Sequence, residues 1–339
     1  MNKTLQKIAA NIAMSCWATK TTPSVANGWY SVCWSPELNM FCAIGGGLVT
    51  ERVMTSNDGI NWATRTTPSI SNGWRSICWS PELYMFCAIA YDGLVTERVM
   101  TSSDGINWAT RTTPSIDNQW EFICWSPELY MFCAVSTSGL VTERVMTSSD
   151  GINWATKTTP SIDNQWISVC WSPELYMFCA VSTSGLVTER VMTSSNGINW
   201  ATRTTPSIAN QWISVCWSPE LHIFCTVAYS GITTQRIITS SDGINWATRT
   251  TPSIDNYWAS VCWSPELNMF CVVSYTNGLV TEKVMTSSDG INWATRTTPS
   301  IANNYYSVCW SPELNIFCTI AYSGITTERI ITSKSIIIK

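Results

Sequence analysis

One histidine, His222, stands in 339 residues, and no Cys-x-x-Cys pair accompanies it. The usual zinc-binding spacings are therefore missing. A basic excess is missing too: 19 Lys and Arg face 23 Asp and Glu, for a net charge of −4. That leaves no electrostatic footprint for nucleic acid. No apolar run approaches the length of a membrane span. No segment carries a helical apolar stripe of useful length. No cofactor is expected, because no catalytic or cofactor constellation rises above the pattern described next.

What the chain has in quantity is repetition. The hexapeptide Cys-Trp-Ser-Pro-Glu-Leu occurs seven times, starting at Cys33, Cys78, Cys124, Cys170, Cys216, Cys262 and Cys309. The intervals are 45 to 47 residues, and a fixed period of that size marks a repeat fold. Within residues 166–211 four strand-sized runs follow one another, at 166–172, 176–181, 188–194 and 199–205. They are rich in aromatic and β-branched residues and bounded by Pro, Gly, Asn or Ser. We label them A to D.

Pro173 sets φ in the turn between A and B. Asp150-Gly151 and Asn196-Gly197 tolerate positive φ at both central positions, which predicts a tight C–D hairpin. Four antiparallel strands per repeat predict an all-β, closed seven-bladed β-propeller. A β-solenoid is the alternative, but its coils are usually shorter and it needs capping repeats. Residues 16–22 match a D strand, and residues 328–333 form a C strand with no D strand after it. The N-terminal strand is expected to complete the last blade, so that no full-length edge remains. The whole of 1–339 reads as one domain, with tails at 1–15 and 334–339.

Fourteen of the fifteen cysteines fall two per repeat, as at Cys170 and Cys179. Folding the A–B hairpin places such a pair opposite one another, and adjacent strands rarely suit a disulfide. They read as small buried hydrophobes with free thiols, which suggests a reducing, cytoplasmic setting. Residues 1–15 make a poor signal peptide, because the apolar stretch is short and carries Asn11. Lipoprotein-type cleavage near Cys16 stays open, since it would leave 16–22 intact.

At Thr-Ser-Ser-Asp-Gly-Ile-Asn-Trp, residues 101–108 and their copies, the chain resembles the Asp-box or neuraminidase-type repeat. Ser56, Asp58, Gly59 and Trp62 match, as do the copies at Asp104, Asp150, Asp242 and Asp289; Asn196 replaces the Asp in the fourth repeat. Gly follows Asp directly, one residue off the family pattern. The repeat is also similar to tandem Asp-Gly-Ile-x-Trp repeats of phage, giant-virus and bacterial proteins. The resemblance implies a turn joining the third and fourth strands of a propeller blade.

Recurrence of this turn in six blades argues for a structural role. A short carboxylate accepts N–H bonds from its own turn, and one carboxylate per turn does not make a metal cage. Sialidases of the family use three converging arginines. Here eleven of twelve arginines sit at repeat positions, and only Arg75 does not. The chain is therefore expected not to be an enzyme.

The repeats differ chiefly in the B–C and D–A connections, which leave an up-and-down blade on the same side. Five acids fall outside the repeat pattern, at Asp92, Asp117, Glu121, Asp163 and Asp255, all on that side. Tyrosines gather there as well. The residue after the first strand-A aromatic varies too, from Tyr30 and Arg75 through Glu121 to Tyr306. Tyr91, Asp92, Glu121, Tyr229, Tyr257, Tyr275 and Tyr322 are the candidate ligand-binding residues. The expectation is a monomeric, non-catalytic interaction scaffold with a protein partner. A carbohydrate-binding lectin is the first alternative and a glycosidase-like enzyme the second.

Overall fold

The computed structural model describes residues 16–24, 27–47, 50–68, 71–114, 117–160, 163–206, 209–252, 255–276 and 281–334. Residues 1–15 and 335–339, including both ends of the tails proposed above, lie outside the described residues. Seven four-stranded antiparallel sheets form a closed ring, the seven-bladed β-propeller that the period predicts. Blade 1 runs Gly28–Ser35, Met40–Gly46, Val53–Ser56, Ala63–Arg65, and blades 2 to 6 repeat it.

Blade 7 takes Asn304–Ser311, Ile316–Ser323 and Ile330–Ser333 from one end of the chain and Trp17–Lys20 from the other. The register there pairs Trp17 with Ser333 and Lys20 with Ile330. Two further bonds extend the seam, Lys334 N to Cys16 O at 3.0 Å and Thr22 N to Thr327 O at 2.8 Å.

Strand A is innermost, and each A strand touches both neighbouring A strands around the axis. The first aromatic of that strand (Trp29, Trp74, Trp120, Trp166, Trp212, Trp258 or Tyr305) points between blades and is fully buried. The next residue points towards the axis. Blade-to-blade polar ties follow the same period. A strand-A serine hydroxyl accepts the amide of the next blade, as in Ile77 N to Ser31 Oγ and Val261 N to Ser214 Oγ. In blade 3 that position is Phe122, which has no hydroxyl to offer.

Just before strand C a buried cation reaches the next blade's backbone. Arg52 donates to Asn72 O at 2.7 Å, Arg98 to Asn118 O, and Arg329 to Asn27 O across the closure. The asparagine itself folds the B–C loop: Asn72 Nδ2 donates to Glu97 O, and its Oδ1 accepts Leu94 N.

Two local expectations change. The C–D connection is not a two-residue hairpin. Thr55 pairs with Ala63, so seven residues close the loop, and only Gly59 has positive φ, at 69°. Asp58 instead organises a wide turn by accepting Ile60 N and Asn61 N at 2.8 and 2.7 Å. Strand C is also shorter, Val191–Ser194 rather than 188–194, because the chain turns at Leu186–Glu189. The A–B turn carries the real left-handed residue, at Asn39, Tyr84, Tyr130, Tyr176, His222, Asn268 and Asn315, with φ of 45–51°.

The cysteine pairs lie in register, Cys170 opposite Cys179, and stand as free thiols. The strand-B member packs into the next blade, as Cys42 does with Trp74, Ile77 and Phe86.

Candidate functional site

The variable side of the ring opens into a funnel around the axis. Tyrosines from five consecutive blades meet on one arc of it. Tyr229 of blade 5 stacks on Tyr257 of blade 6, with centroids 4.8 Å apart and planes 15° apart. Contacts then run from Tyr229 to Tyr275 at 6.0 Å, from Tyr275 to Tyr306 and Tyr322 at 5.9 and 6.1 Å, and from Tyr322 to Tyr30 at 4.9 Å. Gly28 makes the last contact feasible. A Cβ there would lie 2.5 Å from the Tyr322 ring.

Arg75, from blade 2, ends the arc. Its guanidinium lies 4.3, 5.0 and 5.6 Å from the ring centroids of Tyr30, Tyr306 and Tyr91. Such contacts are worth roughly 0.5–2 kcal/mol each, depending on desolvation. Nε donates to Glu121 Oε2 at 2.7 Å, and one terminal nitrogen donates to Tyr306 Oη at 2.6 Å. Arg75 and Glu121 side chains are 19% and 6% exposed, so the pair is enclosed.

Burial alone would lower the pKa of Arg75, but Tyr306 and Glu121 beside it outweigh that and raise it. Burial pushes Glu121 up, against the pull of Arg75. Burial likewise pushes Tyr306 up to about 12, with Arg75 opposing. Displaced pKa values in a concave site are a mark of functional chemistry, though structural ion pairs produce them too.

Two cavities meet at Arg75. One, of about 680 Å³, is lined by Tyr30, Arg75, Tyr91, Asp92 and Glu121 with the Gly46–Gly47 and Gly73 backbone. The other, of about 390 Å³, is lined by Arg75, Gln211, Tyr229, Tyr275, Tyr306 and Tyr322. Both lie in the size range of small-ligand sites. Below them the axis narrows to about 30 Å³ between Phe122, Ile167, Ile213 and Ala259.

The candidate residues read from sequence thus fall into groups. Tyr91, Asp92 and Glu121 line the first cavity; Tyr229, Tyr275 and Tyr322 line the second. Tyr257 stands behind Tyr229. Asp92 is exposed, and its carboxylate accepts Gly73 N at 2.7 Å.

Tyr30, Arg75 and Tyr306 were absent from the candidates, yet they form the centre. The signal was there, since they occupy the one strand-A position that varies most, and Arg75 is the only arginine off the repeat. What hid it was not knowing that strand A is innermost.

Three of the five unrepeated acids have another task. Asp117, Asp163 and Asp255 pair with Arg98, Arg144 and Arg236 at 2.9–3.0 Å, tying neighbouring blades together on the outside of the funnel. No group of three or more His, Cys, Asp or Glu able to hold a metal occurs among the described residues. No helix there is long and apolar enough to cross a membrane.

No protein-family model matches the sequence, and no curated protein does. Solved structures match the fold. Virginiamycin B lyase from Staphylococcus aureus aligns with a TM-score of 0.75 at 9% identity, over 95% of this chain and 99% of that one. The Cps50 (Swd1) β-propeller domain of Myceliophteria thermophila aligns with a TM-score of 0.66 at 11% identity, over 95% and 100%. A chain of a mitotic checkpoint complex aligns with a TM-score of 0.65 at 14% identity, over 95% and 91%.

At such identities the likeness concerns the fold. It still corrects one expectation. A lyase shares this propeller, so the argument that the chain is not an enzyme does not stand. The recurring turns exclude nothing, because the funnel is built from residues that do not recur.

Proposed function

We propose that the protein is a binding propeller whose partner enters the axial funnel on the variable-loop side. The observation that carries this reading is the placement of Arg75. The one arginine outside the repeat sits where three tyrosine rings and Glu121 converge, and it borders both cavities. A ring built only for stability would need no such departure from its period. The tyrosines occupy one arc, while blades 3 and 4 present Gln119, Gln165 and the serines of their B–C loops. A directional face of this kind suits one large partner, and an exposed segment of a protein is the partner it fits best. Tyrosine gives such a site wide contact area at low entropic cost.

A second reading is a small polar ligand, a saccharide among them, held over the Arg75–Glu121 pair. The enclosure of that pair inside a cavity of about 680 Å³ favours it.

Changing Tyr229, Tyr275 and Tyr322 together to Ser tests the site. Half-buried loop positions usually cost little stability, whereas a central aromatic contact is worth about 2 kcal/mol or more in binding. A partner recovered by pull-down should be lost while the melting temperature holds. Retention of the partner, with loss on altering Tyr84, Tyr130 and Tyr176 instead, would move the site to the opposite side.

A further inference from the structure

The outer rim holds a further groove, and the side chains that build it recur round the ring. Between blades 1 and 2 lies a groove of about 550 Å³ lined by Arg65, Thr66, Pro68, Ile106, Asn107 and Trp108 among others. One wall is the outermost strand of blade 1; the other is the C–D turn of blade 2. Arg65 is held in place there, its Nε donating to Thr55 Oγ1 at 2.9 Å. No ion pair to Arg65 occurs among the described residues, so its two terminal nitrogens keep their donors for a ligand. Ile106 is 44% exposed beside it, and Trp108 is half-buried with Nε1 already bonded to Gly105 O.

The same geometry recurs. Arg111, Arg203 and Arg249 are pinned through Nε to Thr101, Thr193 and Thr239 at 2.8 Å, again with no ion pair among the described residues. The facing turns carry exposed Ile152, Ile244 and Ile291. In each case the turn glycine stands over the same threonine: a Cβ on Gly105, Gly151, Gly243 or Gly290 would lie 3.5–3.7 Å from the methyl of Thr55, Thr101, Thr193 or Thr239. Lys157 and Lys20 hold the corresponding place before the turns of blades 4 and 1, where Gly197 and Gly59 face Thr147 and Thr332. Six places round the ring therefore set a cation beside a turn with an exposed isoleucine, and the first of them is the groove just described. The turn carboxylate does not cancel the cation by pairing with it. Asp104 accepts Ile106 N, Asn107 N, Asn107 Nδ2 and Ser102 Oγ, all inside its own turn.

We propose that these six rim places bind the acidic sugar units of a polysaccharide. A guanidinium fixed at Nε offers two parallel N–H donors that match a carboxylate or sulfate. Trp and Ile give the apolar face against which a pyranose ring packs, and the hydroxyls answer sugar hydroxyls. A peptide fits less well, because the bordering strand, Ala63–Arg65, is three residues long and has little edge for strand addition. Like places at equal intervals suit a polymer of one repeating unit, for which linked weak contacts add strongly.

Isothermal titration of the full chain with a sulfated uronic-acid hexasaccharide at about 0.15 M salt tests this. The expected result is more than one site per chain, with no binding of a desulfated, carboxyl-reduced hexasaccharide. Combining Arg65→Gln, Arg111→Gln, Arg203→Gln and Arg249→Gln should weaken binding at least about tenfold and lower the site number. The four Arg→Lys changes should recover part of it, and Lys334→Gln, which removes a charge at the chain seam, should by itself leave binding unchanged. The Tyr229, Tyr275 and Tyr322 to Ser variant should bind the sugar as the parent does, which separates this site from the funnel. Absence of binding, unchanged binding by the Arg→Gln variant while it melts as the parent does, or equal binding of a single-stranded DNA or phosphopeptide of matched charge would overturn the proposal.

Discussion

Trp34 Nε1 donates to Glu313 Oε2 at 2.6 Å, joining residues 279 apart in the chain. The two belong to the first and last copies of Cys-Trp-Ser-Pro-Glu-Leu. Every copy repeats the bond with its predecessor: Trp79 to Glu37, Trp125 to Glu82, Trp171 to Glu128, Trp217 to Glu174, Trp263 to Glu220 and Trp310 to Glu266, all at 2.5–2.6 Å. The hexapeptide is thus half of a joint. Its Trp faces one neighbour and its Glu the other, which is why it occurs once per blade and why the ring needs as many copies as blades.

A closed ring makes its seam equivalent to any internal joint. Trp34→Phe and Trp171→Phe should each lower unfolding free energy by about 1–2 kcal/mol, within about 0.5 kcal/mol of one another. Deleting residues 1–22 is a different matter. It uncovers the edge of Ile330–Ser333 along its length, and an unpaired edge recruits other chains. Denaturation and light scattering should show a large loss of stability or aggregation. A deletion protein that stays monomeric and melts like the parent would contradict the seam.

The C–D turns give the fold an acid sensitivity. Burial of the turn works against the Asp58 charge, but the Asn61 and Ile60 amides, the Asn61 side chain and Ser56 outweigh it and hold the carboxyl at about 2. Asp104 and Asp150 reach about 2 in the same way. An unfolded Asp titrates near about 4. The folded pKa is the lower one, so the unfolded chain binds protons first. The stabilisation is present above about pH 4 and is lost as pH falls through 4 towards 2. Changing Asp58, Asp104 and Asp150 to Asn, as nature has at Asn196, should flatten the stability profile over that range. Denaturant midpoints at pH 7, 4 and 2.5 read this out. An identical slope in parent and variant would mean that the turns are not the titrating element.

Almost all of the architecture was legible in the sequence, because a period of about 46 residues with four strand-like runs leaves few folds to choose from. The site was legible in part. Tyr91, Tyr229, Tyr275 and Tyr322 stood out as departures from the repeat in loops. Tyr30, Arg75 and Tyr306 departed equally but sit inside a strand, and their meaning depends on which strand faces the axis. Asp117, Asp163 and Asp255 looked like an acidic rim. They turn out to face repeat arginines of the preceding blade, a partnership between segments 19 residues apart that charge counting does not reveal. The left-handed residue of the A–B turn was also hidden, since Tyr84, Tyr130, Tyr176 and His222 are not residues that advertise positive φ. The three asparagines at equivalent positions were the clue.

Thiol chemistry gives an independent check of the packing. Burial pushes all fourteen repeat thiols up, and thiolate is the reactive form. Cys16 is exposed. Native protein should therefore show Cys16 reacting first, the seven half-buried strand-A thiols more slowly and the seven buried strand-B thiols last. In denaturant without reductant it should show close to all fifteen. Seven disulfides found by mass spectrometry would overturn the free-thiol packing.

The Arg75–Glu121 pair yields the sharpest test of the funnel. Neither residue recurs at its position in the other blades, so neither is needed for ring closure. Each is nevertheless costly to leave alone. Arg75→Leu strands a carboxylate that is 6% exposed and already raised by burial. Removing one partner of a buried pair typically costs about 3–5 kcal/mol, while replacing both with apolar residues is often near neutral. Arg75→Leu alone should therefore destabilise by about 3 kcal/mol, and combining it with Glu121→Leu should recover most of that. The loss in the single variant should also shrink below the raised pKa of Glu121, where the carboxyl is neutral. Binding should not follow stability. If the funnel recognises its partner through the guanidinium, the double variant will fold like the parent and bind nothing. A double variant that folds and still binds would show that the tyrosines do the recognising and that the ion pair only holds them in place.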